Sequence, residues 1–172
     1  MNPVRPTSSK LVQTLFNIIG VVDGGSFLDL FSGTGRVAFE AANHGFETIV
    51  AVELDRRACQ ELKNGSMSRK ADTRLEVLCM DIRRAMVLLA KKGRLFDVIF
   101  ADPPYESGWV EEITRGGAFL WLDLLAAEGV FVLEHSSREK IPDKVQGLAW
   151  ETRQYGDSCL SFYRKGKRSE AE

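Results

Sequence analysis

Five apolar runs recur along the chain, at Ser26–Phe31, Thr48–Leu54, Leu75–Met80, Phe96–Ala101 and Val130–Glu134, and each is nearly continuous rather than alternating. Alternation marks a sheet with one wet face; continuous runs of this length suit strands covered on both faces. Between them lie segments with helical spacing. Arg36–His44 is closed by Gly45, Asp55–Asn64 is opened by Asp55 and closed near Gly65, and Ile82–Lys92 is closed by Gly93. Strand followed by helix, repeated, implies right-handed crossovers and a mostly parallel sheet with helices on both faces.

The two ends depart from the alternation. Ser8–Ser9 can cap a helix running to Ile19, with Leu11, Leu15, Phe16 and Ile19 on one apolar face. Ala149–Tyr155 and Ser158–Tyr163 flank Gly156–Asp157 and read as an antiparallel hairpin, which brings the expected sheet to seven strands. A chain of 172 residues with 44% hydrophobic and 27% charged residues fills one domain, expected here over 1–165, with 166–172 as a frayed tail. No apolar stretch approaches the roughly 20 residues of a membrane span and no signal-peptide core is present, so a cytoplasmic monomer is expected. Cys59, Cys79 and Cys159 are odd in number and without metal-ligand spacing to each other or to His44 and His135. They read as reduced fillers, and no metal is expected.

In an open parallel sheet, ligands gather beyond the carboxyl ends of the strands. Those ends carry a series here. FLDLFSGTGR, residues 27 to 36, places Gly33 and Gly35 where the backbone must turn tightly and approach a ligand before a helix begins. Glu53 ends the second run, where an acid in a dinucleotide-type fold accepts from ribose hydroxyls; a solvated strand-end charge is the plainer reading. Asp81 ends the third, as a cap for the helix from Ile82, as an acceptor for an adenine amino group, or as both.

FADPPY, residues 100 to 105, ends the fourth. Pro103 and Pro104 have fixed φ and no N–H, so the segment is stiff, extended and rich in acceptors. A carboxylate beside such carbonyls suits an exocyclic amino group, whose two N–H bonds can point at Asp102 and a proline carbonyl. Tyr105 then offers a ring face to a base lifted out of its helix. A turn that merely ends a strand is the alternative, and the neighbouring glycines and acids weigh against it.

LDLFSGTGR, VELD, CMDI and DPPY, in that order, resemble the S-adenosylmethionine-dependent methyltransferases that modify exocyclic amino nitrogens. RPTSSKLVQTLFNIIG (5 to 20), LDLFSGTGRVAFEAANHG and YGDSCLSFYR (155 to 164) are similar, more narrowly, to the bacterial family that methylates a guanine N2 of small-subunit (16S) ribosomal RNA. The resemblance implies a Rossmann-like class I methyltransferase fold and S-adenosyl-L-methionine as cofactor. It implies that Asp29, Phe31, Gly33 and Gly35 surround the methionine part of the cofactor, that Glu53 holds its ribose, that Asp81 and Ile82 meet its adenine, and that Leu54 also belongs to the cofactor site. Asp102, Pro103 and Tyr105 would bind the guanine, with Asp102 also bordering the cofactor. Arg5, Pro6 and Thr7 would lie over the cofactor or touch RNA phosphate. Family members ordinarily carry a basic β-hairpin ahead of the RPT stretch, which this sequence lacks; the departure bears on the strength of RNA binding and not on the cofactor site.

Direct in-line transfer of the methyl group to guanine N2 then needs Asp102 and the Pro103 carbonyl to draw the amino group toward tetrahedral geometry, because its lone pair is otherwise delocalised into the ring. Positioning would be the larger share of the catalysis. The expected partner is ribosomal RNA or the small ribosomal subunit, and a net charge of −1 leaves room for a local basic face. Candidate phosphate contacts are Arg5, Lys10, Arg36, Arg164 and Lys165, with Lys167 and Arg168 beyond them. Arg69–Lys70, Arg83–Arg84 and Lys91–Lys92–Arg94 read as solvated faces. DNA adenine-N6 or cytosine-N4 methyltransferases also use DPPY but ordinarily add a region to read a duplex. An inactive RNA-binding or assembly protein gives no reason for Asp102, and a nicotinamide oxidoreductase gives none for DPPY.

Overall fold

The computed structural model describes residues 8–20, 22–67, 73–115, 120–141, 144–145 and 148–165. The apolar runs become β1 (Ser26–Asp29), β2 (Thr48–Glu53), β3 (Arg74–Cys79), β4 (Phe96–Ala101) and β5 (Leu125–Ser136). With β8 (Glu151–Tyr155) and β9 (Ser158–Arg164) they form one seven-stranded sheet in the order β3-β2-β1-β4-β5-β9-β8. β1 to β5 run parallel, and β9 enters antiparallel beside β5. The order reverses between β1 and β4, so the crevice that such a sheet offers a ligand opens where both strands end.

The continuous apolar runs have the expected cause in β1, β2, β4 and β5, whereas β3, at the edge of the sheet, is only partly covered and its Cys79 is exposed. Leu28, Val50, Val52, Ile99, Phe131 and Leu133 join a core on one side of the sheet with Met86, Leu89, Ile113 and Trp121; Phe27, Ile49, Ala51, Val98, Phe100 and Val132 join a second core with Leu15, Phe16, Ala38 and Leu62. Each large side chain so covered contributes roughly 1.5–3 kcal/mol relative to exposure. The outer strand β8, ETRQY, is exposed throughout, and its polar side chains protect an edge that would otherwise recruit another strand. Among the described residues no helix is long and apolar enough to cross a membrane.

The helices on the second-core side are α1 (Ser9–Ile19), α2 (Arg36–Asn43) and α3 (Arg56–Met67); α4 (Ile82–Lys91) lies on the other side. Ser8 caps α1 by accepting from the Leu11 N–H at 3.2 Å, and Asp55 opens α3 by accepting from the Ala58 N–H at 2.8 Å. Gly45 and Gly93 follow their helices at φ +96° and +64°, as closing glycines do. Gly65 does something else: α3 runs past it to Met67, and a Cβ there would stand 2.6 Å from Phe39 Cζ, so it is a packing glycine rather than a stop.

Elsewhere the boundaries differ from those expected. β5 begins at Leu125 rather than Val130 and ends at Ser136, and the stretch expected as one strand from Ala149 breaks at Trp150, whose ring turns into the core beside Trp121 and Phe131. A small hairpin of β6 (Lys144–Val145) and β7 (Leu148–Ala149) precedes that break. Two helices have no periodic signal, α5 (Trp109–Arg115) and α6 (Trp121–Leu124), because two turns or one turn are too short to repeat a pattern. Both are held by tertiary contacts: Trp121 stacks on Phe131 at 4.1 Å between centroids and donates through Nε1 to the Ile113 carbonyl at 2.9 Å.

Gly35 is the backbone position on which the first crossover depends. It sits at φ +95°, and a Cβ there would fall on Leu62 Cδ2 and 2.8 Å from Phe39 Cε2. Gly35→Ala is therefore expected to cost about 3 kcal/mol from the left-handed backbone and the overpacked α2–α3 contact together, lowering the melting temperature by ~10 °C. Differential scanning calorimetry measures this directly.

Candidate active site

The loop after β1 is sewn to both neighbouring strands: Leu30 N–H donates to the Phe100 carbonyl of β4 at 2.9 Å and Ser32 N–H to the Val52 carbonyl of β2 at 3.0 Å. This puts the GTG turn over the switch point. Glu53, ending β2, accepts from Gly33 N–H at 2.7 Å, Leu54 N–H at 2.9 Å and Asp55 N–H at 2.8 Å. The strand-end acid therefore holds the glycine turn in place. Gly33, at φ +53°, has nothing within 4 Å of where a Cβ would be, so open space lies over its Cα. Gly33→Ala should cost only about 1–2 kcal/mol for its backbone, less than Gly35→Ala, while intruding on any ligand in that space.

Asp29 is 1% exposed, and among the described residues neither carboxyl oxygen has a hydrogen-bond partner of good geometry. Burial pushes its pKa up to about 8, the charges of Asp102 and Glu53 push the same way, and the Ser32 side chain and Phe31 backbone offset only part of this. An acid so held is mostly neutral at pH 7. A cation brought beside it would be attracted to the charged form, so the site is suited to a positively charged ligand.

At the end of β4 the chain runs through Asp102, buried Pro103 and exposed Pro104 to half-buried Tyr105. The Pro104 carbonyl accepts from Ser107 Oγ at 2.5 Å, so of the two proline carbonyls it is that of Pro103 that is left for a ligand among the described residues. The Tyr105 hydroxyl donates to Glu134 Oε1 at 3.1 Å and lies 2.7 Å from Ser158 Oγ. Burial first, with Glu134 and Asp102 adding to it, holds the phenol far above its usual range. It stays protonated, which leaves the ring as a fixed platform rather than an acid or base.

Asp81 caps α4, accepting from Arg83 N–H at 2.9 Å, and both its oxygens receive the Arg83 guanidinium at 3.2 Å. These bonds from Arg83 hold its carboxyl below the usual range. The same guanidinium lies 5.1 Å above the Trp109 ring, and Trp109 meets Phe31 edge to face at 5.3 Å. Arg83 is thus a bracket between the third strand end and α5, where the sequence suggests a solvated face.

The strand ends bring Asp29, Phe31, Gly33, Gly35, Glu53, Leu54, Asp81, Ile82, Asp102, Pro103 and Tyr105 to the same edge of the sheet. The RNA candidates are not so united. Lys10 lines a cavity of about 330 Å³ with Leu11, Thr14, Tyr155 and Ser158, next to a cavity of about 280 Å³ lined by Ser8, Tyr105, Glu134, Tyr155, Asp157 and Ser158. Arg36 is tied to Ser9 Oγ, joining α2 to α1. Arg164 pairs with Val130 at the opposite end of the β5–β9 ladder, and Lys165 donates to the Leu122 and Leu125 carbonyls beyond it. Arg5, Pro6, Thr7, Arg69, Lys70, Lys167 and Arg168, and the expected tail at 166–172, lie outside the described residues. Trp109, Glu134 and Ser158 carry no mark of the site in the sequence reading. Glu134 is within reach of the sequence, since it is the acid near the end of the fifth strand and answers to the criterion that singles out Glu53, Asp81 and Asp102.

The model of a family described as conserved hypothetical protein 95 matches residues 1–164. A Bacillus subtilis protein, YlbH, provisionally named an rRNA methyltransferase, is 33% identical over 167 residues, covering 94% of this chain and 88% of its own length. Ribosomal RNA small subunit methyltransferase D of Escherichia coli K12 is 33% identical over 110 residues, 63% of this chain and 54% of that protein. Among solved structures, a hypothetical protein of Thermus thermophilus superposes with a TM-score of 0.77 at 28% identity, covering 94% of this chain and 89% of its own. The sheet order and these neighbours make the fold that of a Rossmann-like class I methyltransferase.

Proposed function

The chain belongs to the conserved hypothetical protein 95 family, a family of S-adenosylmethionine-dependent small-subunit ribosomal RNA methyltransferases, and from that premise we propose that it methylates the exocyclic N2 of a guanine in 16S ribosomal RNA. The observation that carries this reading is the meeting, at one switch point, of a buried carboxyl without a well-aligned hydrogen bond among the described residues, Asp29, and an acceptor-lined turn, Asp102–Pro103, that ends on a fixed aromatic ring.

The residues fit S-adenosylmethionine. Asp29 answers a cation, the space over Gly33 admits a ligand close to the backbone, and Glu53 stands at the second strand end with acceptor capacity beyond the three N–H groups it already holds. Asp29, Phe31, Gly33 and Gly35 would hold the methionine part, Glu53 the ribose, and Leu54, Asp81 and Ile82 the adenine. When bound, this cofactor supplies a methyl carbon made electrophilic by its sulfonium.

The remaining work belongs to the chain. Asp102 and the Pro103 carbonyl accept the N–H bonds of the amino group and turn its lone pair out of conjugation, while Tyr105, locked by Glu134 and Ser158, fixes the plane of the base. Because these groups are set before substrate arrives, little reorganisation is needed at the moment of transfer. Of the described candidates for a phosphate contact, Lys10 lies beside the neighbouring cavity, where it can meet a phosphate near that base.

The experiment is incubation with labelled S-adenosylmethionine and undermethylated small subunits, free ribosomal RNA or DNA, followed by mapping of the modified nucleoside. Label is expected as N2-methylguanosine in small-subunit RNA. Label confined to DNA, or carried on adenine, overturns the reading.

A further inference from the structure

DPPY turns serve adenine, cytosine and guanine alike, so Asp102 and Pro103 do not explain why one base is chosen. We propose that Glu134 makes the choice: its carboxylate accepts from the N1–H of a guanine seated against Tyr105. The inference deepens the function proposed above and rests on it.

Three observations place Glu134 there. The first is register. Ala101 of β4 and Leu133 of β5 are paired, and Asp102 and Glu134 are each the next residue, so the two acids stand side by side on neighbouring segments, Asp102 just past the end of β4 and Glu134 still in β5, two residues before its end. In guanine N1 and N2 are two bonds apart, and neighbouring acceptors on neighbouring strands can address both.

The second is contact. Tyr105, the ring proposed to fix the base, donates its hydroxyl to Glu134 Oε1 at 3.1 Å, and both residues line the cavity of about 280 Å³ with Ser8, Tyr155, Asp157 and Ser158. That volume lies just under the roughly 300–1,000 Å³ of drug-sized ligand sites and suits a single base. An ionised carboxylate has about four acceptor positions, so accepting from Tyr105 leaves capacity for a ligand N–H.

The third is burial. Glu134 is 3% exposed in the middle of a sheet, on a strand whose preceding residues Phe131, Val132 and Leu133 are wholly buried. An acid is costly in such a place and seldom kept there without partners. Tyr105 is one such partner, and an N–H that a base brings to the acid in so dry a setting is held more strongly than in water.

The chemistry separates the bases. Guanine presents a donor at N1, whereas adenine at N1 and cytosine at N3 present lone pairs that would face a carboxylate and be repelled. A site built around a substrate N–H rejects the analogue lacking it far more strongly than an apolar pocket rejects a shape change.

The test uses the full chain and a synthetic RNA that the wild type methylates, carrying at the modified position either guanine or 2,6-diaminopurine. The latter keeps the N2 amino group but replaces N1–H with a lone pair. Wild type is expected to favour guanine by ~10²-fold or more in kcat/KM. Glu134→Gln keeps the length and can donate to a lone pair, so it should lose about 100-fold on guanine while its preference shrinks at least about tenfold or inverts, with S-adenosylmethionine affinity unchanged. Glu134→Asp, which keeps the acceptor, should be slower yet retain the preference for guanine. A Glu134→Gln protein that melts and binds cofactor like the wild type and discriminates as the wild type does overturns the assignment, as does a wild type indifferent to the two bases. Absence of N2 methylation of any guanine by the wild type would instead bring down the underlying function, so the two failures are distinguishable.

Discussion

Asp102→Ala is expected to lower kcat by ~10³-fold, or about 4 kcal/mol of transition-state stabilisation, because the aligning acceptor acts in a site where water does not replace it. Affinity for S-adenosylmethionine should not fall. Asp102 is, after burial itself, the largest influence holding Asp29 in its neutral form. Removing its charge therefore lets Asp29 ionise more readily, and a cationic ligand should bind at pH 7 as tightly as before or more so. Single-turnover kinetics and equilibrium binding separate the two effects. Binding weakened to the same degree as turnover would make Asp102 a cofactor ligand rather than an aligner of the amino group.

Much of this site is legible in the sequence because a parallel sheet turns sequence position into spatial position. Each buried strand shows as an unbroken apolar run, and its first polar residue marks the edge where ligands gather. That logic reaches Glu53, Asp81 and Asp102 directly, and Asp29 only through the family resemblance, since it lies inside an apolar run. What the logic misses has physical causes. Glu53 reads as a ribose acceptor or a solvated charge, and only the folded chain reveals that it also holds Gly33 N–H and so shapes the cradle it borders. Gly65 looks like a helix stop because a glycine's lack of a side chain is equally useful for a turn and for close packing; Phe39, more than twenty positions earlier in sequence, decides between them. α5 and α6 depend on Trp109 and Trp121 finding partners elsewhere in the fold, and local pattern carries no trace of that. Lys165 reads as a phosphate contact because charge is visible in sequence while direction is not; an antiparallel last strand carries it to the far end of the sheet.

With Asp29 beside the cofactor, as proposed, cofactor binding is expected to release a proton. With its carboxyl raised to about 8 in the free protein, binding of S-adenosylmethionine, a cation that favours the charged form, should draw the pKa down. Affinity is then expected to rise about tenfold per pH unit below pH ~8 and level off above it, with close to one proton released per cofactor at pH 7. Titration calorimetry in two buffers of different ionisation enthalpy counts that proton. The sign of the stability effect is the reverse. The folded protein holds a proton that the unfolded chain has given up between the ordinary value of 3.8 and about 8, so this group's contribution to stability is complete below that window and is lost as pH rises through it. Asp29→Asn removes the titration while keeping the size of the neutral acid. The variant should melt higher than wild type at pH 8, bind the cofactor ~10²-fold more weakly there, and show a flat affinity profile across the same window. A wild type with an equally flat profile would mean that Asp29 keeps its proton with cofactor bound, and its part in holding the cation would have to pass to Asp102 or Glu53.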